Sequence, residues 1–258
     1  MLGLGMKLYD RLTGKSSLPK SETLSNTQVK SFIPTRKTEN RLGGFRYDDG
    51  QMDDRKLGLG VAEQCRQAGV VINEESPVVA ASPEGTLALA KSQPTTFDCI
   101  PNIAGPWAEK LLIDSGIKAR YGLDAVRGSQ LIVERARPHA LLLEVPGGKR
   151  IFFVLPWQGR SLIGTTEVRQ TLEAPIACND EETDDLLKAY KHFQSKTIAR
   201  ANIVETFAGI RPPVKSASDP NRARGDKAFQ RNGRLLTVFG GKSTTSLARA
   251  KKLQRKLH

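Results

Sequence analysis

Apolar residues along this chain fall into short runs and helical stripes, divided by glycine, proline and polar breaks. Leu4, Leu8 and Leu12 recur at every fourth position and predict that residues 1–12 form the tail of a helix. Residues 13–40 are rich in Ser, Thr and Lys, carry Pro19 and Pro34, and are expected to form a linker. A new segment starts at residue 41, with Phe45 and Tyr47 alternating in Gly43-Gly44-Phe45-Arg46-Tyr47-Asp48. Asp53 or Asp54 then caps a helix that runs to about Ala68 and is closed by Gly69. Val70-Val71-Ile72-Asn73 reads as a short strand, and helix–glycine–strand is an order that α/β proteins use.

Further on, Val78–Ala81 and Thr86–Ala90 predict a hairpin around Pro83-Glu84-Gly85, and Phe97–Ile100 predicts a strand. Asn102 to Ala108 leads into a helix through Leu112. Gln130–Val133, Ala140–Val145, Arg150–Leu155 and Ser161–Gly164 are strand-like runs parted by turns such as Pro146-Gly147-Gly148 and Gln158-Gly159, and predict an antiparallel meander. Asp180 opens an acidic helix to about Phe193. The chain returns through Phe207–Pro213 and closes with an apolar run Leu235–Phe239, a Gly240-Gly241-Lys242 turn and a basic helix. The expected fold class is α+β (α/β). The expected segments are 1–40, 41–126, 127–207 for the antiparallel sheet and its helix, and 208–258, which returns to the second. No internal repeat is present.

Composition narrows the picture. At 258 residues with 38% hydrophobic content and a mean hydropathy of −0.38, the chain suits one large or two small domains. The net charge is +13, and from Arg222 onward eleven Lys/Arg face one acid, Asp226. Such a segment either attracts polyanions or is a solvated face. Cys65, Cys99 and Cys178 lack metal-type spacing and read as thiols in a reducing compartment, and His139, His192 and His258 are scattered. No window approaches the ~18 apolar residues of a membrane span. Lys7 and Asp10 interrupt the apolar opening, which is not read as a signal peptide. A cytoplasmic location is expected, with peripheral membrane contact left open.

The richest chemical signal is the strand–turn–helix at the end. Gly240 and Gly241 let backbone approach a ligand, and the helix that opens at Lys242-Ser243-Thr244-Thr245 offers unpaired N–H groups. It is not a P-loop, because Leu236 stands where that motif needs glycine. Gly3-Leu4-Gly5 and Gly58-Leu59-Gly60 lack the third glycine and preceding strand of a dinucleotide fingerprint. Arg211, between Gly209-Ile210 and Pro212-Pro213, is either an anion-binding guanidinium or a surface arginine paired with a carboxylate. Gly164-Thr165-Thr166-Glu167 reads as a strand end with a turn or cap. Trp107 either stacks near a ligand or fills the core at a helix start. Neither a Ser-His-Asp nor a Cys-His arrangement can be assembled.

Taken in order, these segments resemble the FAD-dependent glycerol-3-phosphate dehydrogenases, within the D-amino-acid-oxidase-like flavoproteins. The matching stretches are Leu8-Tyr9-Asp10 with Leu18-Pro19, Gly44–Asp48 with Asp53-Asp54-Arg55, Asn102–Trp107, Arg127-Gly128-Ser129, Pro156-Trp157, Ile163–Glu167, Gly209-Ile210-Arg211-Pro212 and Phe239–Thr245. The resemblance implies an incomplete FAD-binding domain of the D-amino-acid-oxidase/glutathione-reductase type in 41–126 and 208–258, with a substrate-covering sheet in 127–207. It implies oxidation of sn-glycerol 3-phosphate to dihydroxyacetone phosphate, with electrons passed to membrane quinone. By resemblance Arg211 grips the substrate phosphate and Lys242 sits by flavin and substrate. Ala104, Gly105, Pro106 and Trp107 lie against FAD, as do Gly209, Ile210, Gly240, Gly241, Ser243, Thr244 and Thr245.

The family also has a glycine-rich fingerprint ahead of the Leu-Tyr-Asp motif, and many members continue into a C-terminal helical domain. The chain is therefore expected to be an internal piece with weak or no activity alone. Aspartate is usual in the family at the position of Glu167, and Tyr-Arg at Ser246-Leu247. A peripheral position on the cytoplasmic face of the inner membrane and a homodimer are further expectations, and nucleic acid is not expected as a partner. The competing reading is a non-catalytic basic protein for anionic membrane or nucleic acid. Its C-terminal helix would present Leu247, Ala250, Leu253 and Leu257 beside Lys251, Lys252, Arg255 and Lys256.

Overall fold

The computed structural model describes residues 2–12, 18–37, 43–147, 150–215 and 228–257. The expected basic residues Arg222, Arg224 and Lys227, the turn residue Gly148 and His258 lie outside the described residues. In chain order the elements begin with α1 (Leu2–Leu12), β1 (Glu22–Leu24), α2 (Asn26–Phe32), β2 (Gly44–Arg46), α3 (Asp54–Gln67), β3 (Val78–Ala81), β4 (Thr86–Leu89), β5 (Thr95–Thr96) and β6 (Ile100–Asn102). There follow α4 (Ala108–Asp114), β7 (Val126–Val133), β8 (Leu141–Glu144), β9 (Ile151–Trp157), β10 (Arg160–Gly164), β11 (Val168–Arg169) and α5 (Asp180–Phe193). The last are β12 (Ile203–Arg211), β13 (Ala228–Asn232), β14 (Leu235–Phe239) and α6 (Ser246–Leu257). The chain divides into two compact units. One comprises Met1–Leu57, Gln130–Thr165 and Cys178–Thr206, the other Gly58–Ser129, Thr166–Ala177 and Phe207–His258.

In the first unit β8, β9 and β10 form an antiparallel meander, and the Gln130–Val133 stretch of β7 pairs antiparallel with β10. The expected four-strand meander is corrected here. The first strand in sequence is not beside the second but on the far side of the fourth, with Gln130–Val133 opposite Ser161–Gly164. Helix α5 covers one sheet face. Leu186, Ala189, Tyr190 and Phe193 fall at helical spacing and meet Leu131, Val133, Phe152, Val154 and Ile163, all buried. Its start is fixed by Asn179, whose side chain accepts from the Glu182 N–H at 2.9 Å while Glu182 reaches back to the Asn179 N–H. Asp180, Glu181 and Glu182 sit in the first turn and Lys191 and His192 in the last, both favoured by the helix dipole.

One expectation for this unit's first residues changes. The linker expected over 13–40 contains β1 and α2, and β1 pairs antiparallel with β2. Ser25 caps α2 by accepting from the Gln28 N–H, with Gln28 returning a bond to the Ser25 N–H. Helix α1 forms as expected, with Leu4, Leu8 and Leu12 exposed.

In the second unit β14 pairs antiparallel with β13 and parallel with β6, in register Thr237 opposite Asn102. All five residues of β14 are buried, which explains its near-continuous apolar run, broken only by Thr237. Leu235 and Phe239 pack with Ile100, Ala108, Leu112, Leu123 and Val214. Gln230 is buried and ties β13 to the connection before β7, donating to the Lys118 carbonyl and accepting from the Arg120 N–H, both at 2.8 Å. The β3–β4 hairpin is as expected, with β5 added on β4. The strand expected over Phe97–Ile100 lies three residues later, as β6, because the parallel register with β14 engages Ile100–Asn102. Gly69 ends α3 at φ +82 as expected, but Val70–Asn73 is not a strand. It has no partner strand, and Val71 is 81% exposed.

Candidate functional site

The residues expected to face FAD or substrate all lie in the second unit. Two loops define the site. The Ala104–Trp107 segment leaves the carboxyl end of β6, and Gly240–Thr245 leaves the carboxyl end of β14. Because these strands are parallel neighbours, the loops emerge side by side, the usual position of a ligand crevice in α/β sheets.

Asn102 locks the first loop. Buried at the end of β6, it donates to the Ala108 carbonyl at 2.9 Å and to the Thr237 hydroxyl at 3.3 Å. Its carbonyl oxygen accepts from the Ala104 N–H at 3.2 Å. One side chain thus fixes both ends of the loop and its neighbour strand. Pro106 stands in a single 3₁₀ turn, Gly105–Trp107, which runs into α4. Trp107 is 47% exposed, so the core alternative for it is corrected: the ring faces outward because Ala108 and Leu112 take the buried positions at the start of α4.

In the second loop, Gly240 and Gly241 hold φ of +66 and +116, a path that side-chain-bearing residues rarely follow. Lys242 is extended and its carbonyl accepts from both the N–H and the hydroxyl of Thr245 at 3.0 Å. Its ammonium is exposed and has no ion-pair partner among the described residues. Ser243–Thr245 form a 3₁₀ turn leading into α6, without a side-chain cap, so the helix start keeps its free donors. Ser243, Thr244 and Thr245 are exposed.

Helix α6 docks through an unexpected face. Leu247, placed on its apolar stripe by the sequence, is 69% exposed. The partly buried positions are Arg249, Ala250's neighbour, and Leu253, four residues on. Lys252 and Lys256 lie over the Phe229 ring at 5.4 Å, and Arg231 donates to the Lys256 carbonyl at 3.0 Å. Lys252 and Lys256 are therefore engaged in packing the helix on its own unit. Arg249 itself folds back onto Gly241, in the space a Cβ there would need. No sequence motif marked Arg249. The only available signal was its i,i+4 spacing from Leu253.

Arg211 ends β12 and is held in place through residues 213–215. The Asp124 N–H donates to the Pro213 carbonyl at 2.9 Å, the Lys215 N–H to the Gly122 carbonyl at 2.8 Å, and Leu123 bridges Val214. Its guanidinium pairs with Glu167. The structure thus brings the Glu167 and Arg211 side chains together. Gly209 and Arg211 are exposed and Ile210 is half-buried. Pro106 and Pro212 line one cavity of about 350 Å³, shared with Glu109, Lys110, Asp124 and Glu173. Here Lys110 pairs with Asp114 and Glu109 accepts from the Leu123 N–H.

The family profile for FAD dependent oxidoreductases matches residues 4–246. Among curated relatives, a glycerol-3-phosphate dehydrogenase of Pseudomonas tolaasii is 31% identical, over 95% of this chain and 50% of its own length. A D-erythritol 1-phosphate dehydrogenase of Brucella abortus and the aerobic glycerol-3-phosphate dehydrogenase of Escherichia coli are each 30% identical over 95% of this chain and 52% of theirs. Among solved structures, the glycerol-3-phosphate dehydrogenase of Bacillus halodurans complexed with FAD aligns with a TM-score of 0.77 at 20% identity. That alignment covers 91% of this chain and 48% of the other. Glycine oxidase of Geobacillus kaustophilus aligns with a TM-score of 0.70 at 20% identity, over 95% and 62%. The chain spans about half the length of the curated relatives it matches. It belongs to the FAD-dependent oxidoreductase family and has that family's α+β fold.

Proposed function

We propose that this member of the FAD-dependent oxidoreductases carries the flavin-facing turn and phosphate grip of a polyol-phosphate dehydrogenase, with sn-glycerol 3-phosphate as substrate and dihydroxyacetone phosphate as product. The observation that carries the reading is the pair of loops, Ala104–Trp107 and Gly240–Thr245, leaving adjacent parallel strands at one sheet edge. Two features fit a flat, acceptor-rich ring. Gly240 and Gly241 take a positive-φ path without side chains of their own, and Arg249, resting on Gly241, holds two buried nitrogens without acceptors beside them. FAD, when bound there, supplies acceptance of a hydride from the substrate carbinol.

The chain's own residues would do the rest. Lys242 places an unneutralised cation at the turn, suited to the developing alkoxide of the carbinol being oxidised. Arg211 offers a fork to the substrate phosphate, exchanging or sharing its carboxylate partner Glu167. Names of relatives support a polyol phosphate over an amino acid, since both curated types at about 30% identity act on one by name. Transfer of electrons to quinone at the cytoplasmic face of the inner membrane, and a homodimer, belong to the same reading. Among the described residues no helix is long and apolar enough to cross a membrane.

The test is a dye-linked assay of the purified chain with added FAD, comparing sn-glycerol 3-phosphate, D-erythritol 1-phosphate and glycine. The expected result is a protein colourless as purified, weak FAD binding, and slow turnover confined to sn-glycerol 3-phosphate. Turnover of glycine alone would overturn the substrate class, and preference for the erythritol ester would overturn the substrate within it.

A further inference from the structure

A second cation lies over the Gly240-Gly241-Lys242 turn, one that the motif itself does not contain. Arg249, near the start of α6, turns its side chain back so that a Cβ on Gly241 would fall within its guanidinium. Gly241 is the platform on which that group rests. Its Nε and Nη2 are buried and have no hydrogen-bond partner, and no carboxylate pairs with it among the described residues. Charged donors withdrawn from water without an acceptor are costly, and native folds keep few of them. Burial, with no anion to offset it, pushes the Arg249 pKa below its ordinary range. A salt-bridged structural arginine such as Arg200, held by Asp180 and Asp184, shows the opposite: its pKa is raised. Gly241, which Arg249 covers, follows the carboxyl end of β14, the parallel neighbour of β6.

We propose that Arg249 is a ligand-binding residue of this turn, its fork receiving the N–C=O edge of the flavin pyrimidine ring, which bears negative charge once the ring is reduced. The assignment rests on the flavoprotein reading above. The chemistry is that of a planar donor pair meeting two acceptors on one planar edge, a match that lysine does not offer. Lys242 then serves the substrate side of the turn and Arg249 the cofactor side. The guanidinium stays unsatisfied until the ligand arrives, so the ligand-free fold carries a cost that binding removes.

The experiment compares wild type, R249M and R249K. Melting temperature without ligand is one readout. Equilibrium dialysis under nitrogen against oxidised and dithionite-reduced FAD, and against inorganic phosphate, is the other. Without ligand, R249M should melt at the same temperature or about 2–4 °C higher, since an unpaired charge is removed. It should lose about tenfold in preference for reduced over oxidised FAD, equivalent to a fall of about 30 mV in the two-electron potential. R249K should fall between the two. A lower ligand-free melting temperature for R249M would make the guanidinium a structural support and overturn the proposal. So would FAD binding by R249M with the reduced-to-oxidised ratio of wild type. Loss of phosphate binding with that ratio unchanged would move the fork to a phosphate ester. Wild type that binds FAD in neither redox state overturns the flavoprotein reading itself.

Discussion

The Arg211 guanidinium donates from Nη2 to Glu167 Oε1 at 3.0 Å, the arginine side chain 47% exposed and the glutamate 25%. This joins the end of β12 to the segment after β10, two stretches that the sequence offered as separate motifs. A half-exposed pair of this kind contributes about 0–1 kcal/mol to stability. Its value is positional, because the carboxylate holds the fork where a phosphate would take it over.

R211A should therefore leave the melting temperature nearly unchanged and weaken binding of sn-glycerol 3-phosphate by about 10–100-fold. That is the loss expected when a charge-assisted hydrogen bond worth about 1.5–3 kcal/mol disappears. R211K should recover part of the loss. E167Q should tighten binding of the phosphate ester, since the competing charge is removed. Calorimetric titration with the ester measures all three, and unchanged affinity in R211A would remove Arg211 from the phosphate site.

G241A faces two penalties at once. Its φ of +116 strains any residue with a side chain, at about 1–3 kcal/mol, and the new methyl must displace the Arg249 guanidinium. The double variant with R249M should recover at least about 0.5 kcal/mol of the loss, because only the backbone strain remains. Urea unfolding of the four proteins of this cycle supplies the number. Strict additivity would mean that guanidinium and glycine do not touch.

N102A should cost about 1–3 kcal/mol, because the Asn102 bonds to the Ala108 carbonyl, the Thr237 hydroxyl and the Ala104 N–H are lost in a buried site. It should also free the Ala104–Trp107 loop. Faster proteolysis in that loop, measured beside urea unfolding, is the expected signature. N102D should be no better, since a carboxylate cannot donate to the Ala108 carbonyl.

L186A removes a fully buried side chain from the α5–sheet core of the first unit and should destabilise that unit by about 2–5 kcal/mol. FAD binding should be unchanged in the folded protein, because every candidate ligand-facing residue belongs to the second unit. Parallel thermal unfolding and FAD titration separate the two effects.

Local chemistry explains which parts were legible in the sequence. Helix α5 announced itself through its acid-rich opening at Asp180, and β14 through its apolar run Leu235–Phe239. The Gly240-Gly241-Lys242 turn was visible because its glycines and flanking strand are contiguous. Helix α2 was hidden by having Val29 as its one buried residue, although the Ser25–Gln28 box was there to be read. Val70–Val71 shows the converse error: β-branched residues imply a strand only where a partner strand exists, and none pairs with them among the described residues. Arg249 was out of reach. In a basic helix nothing local distinguishes it from Lys251 or Arg255, and only the fold brings it onto a glycine eight positions earlier.

The parallel pairing of β6 with β14 also has a consequence for how the chain is made. Asn102 and Thr237 are 135 positions apart, so one half of the pairing leaves the ribosome long before the other exists. At about 5–20 residues per second the interval is roughly 7–27 s. Throughout it, Ile100 and the Ala108–Leu112 face of α4 wait for Leu235 and Phe239 to cover them. The first unit's β8–β10 meander and α5 are already synthesised by then. The β6–β14 edge thus closes only after the first unit's sheet and helix have been made, with its apolar face uncovered in the meantime.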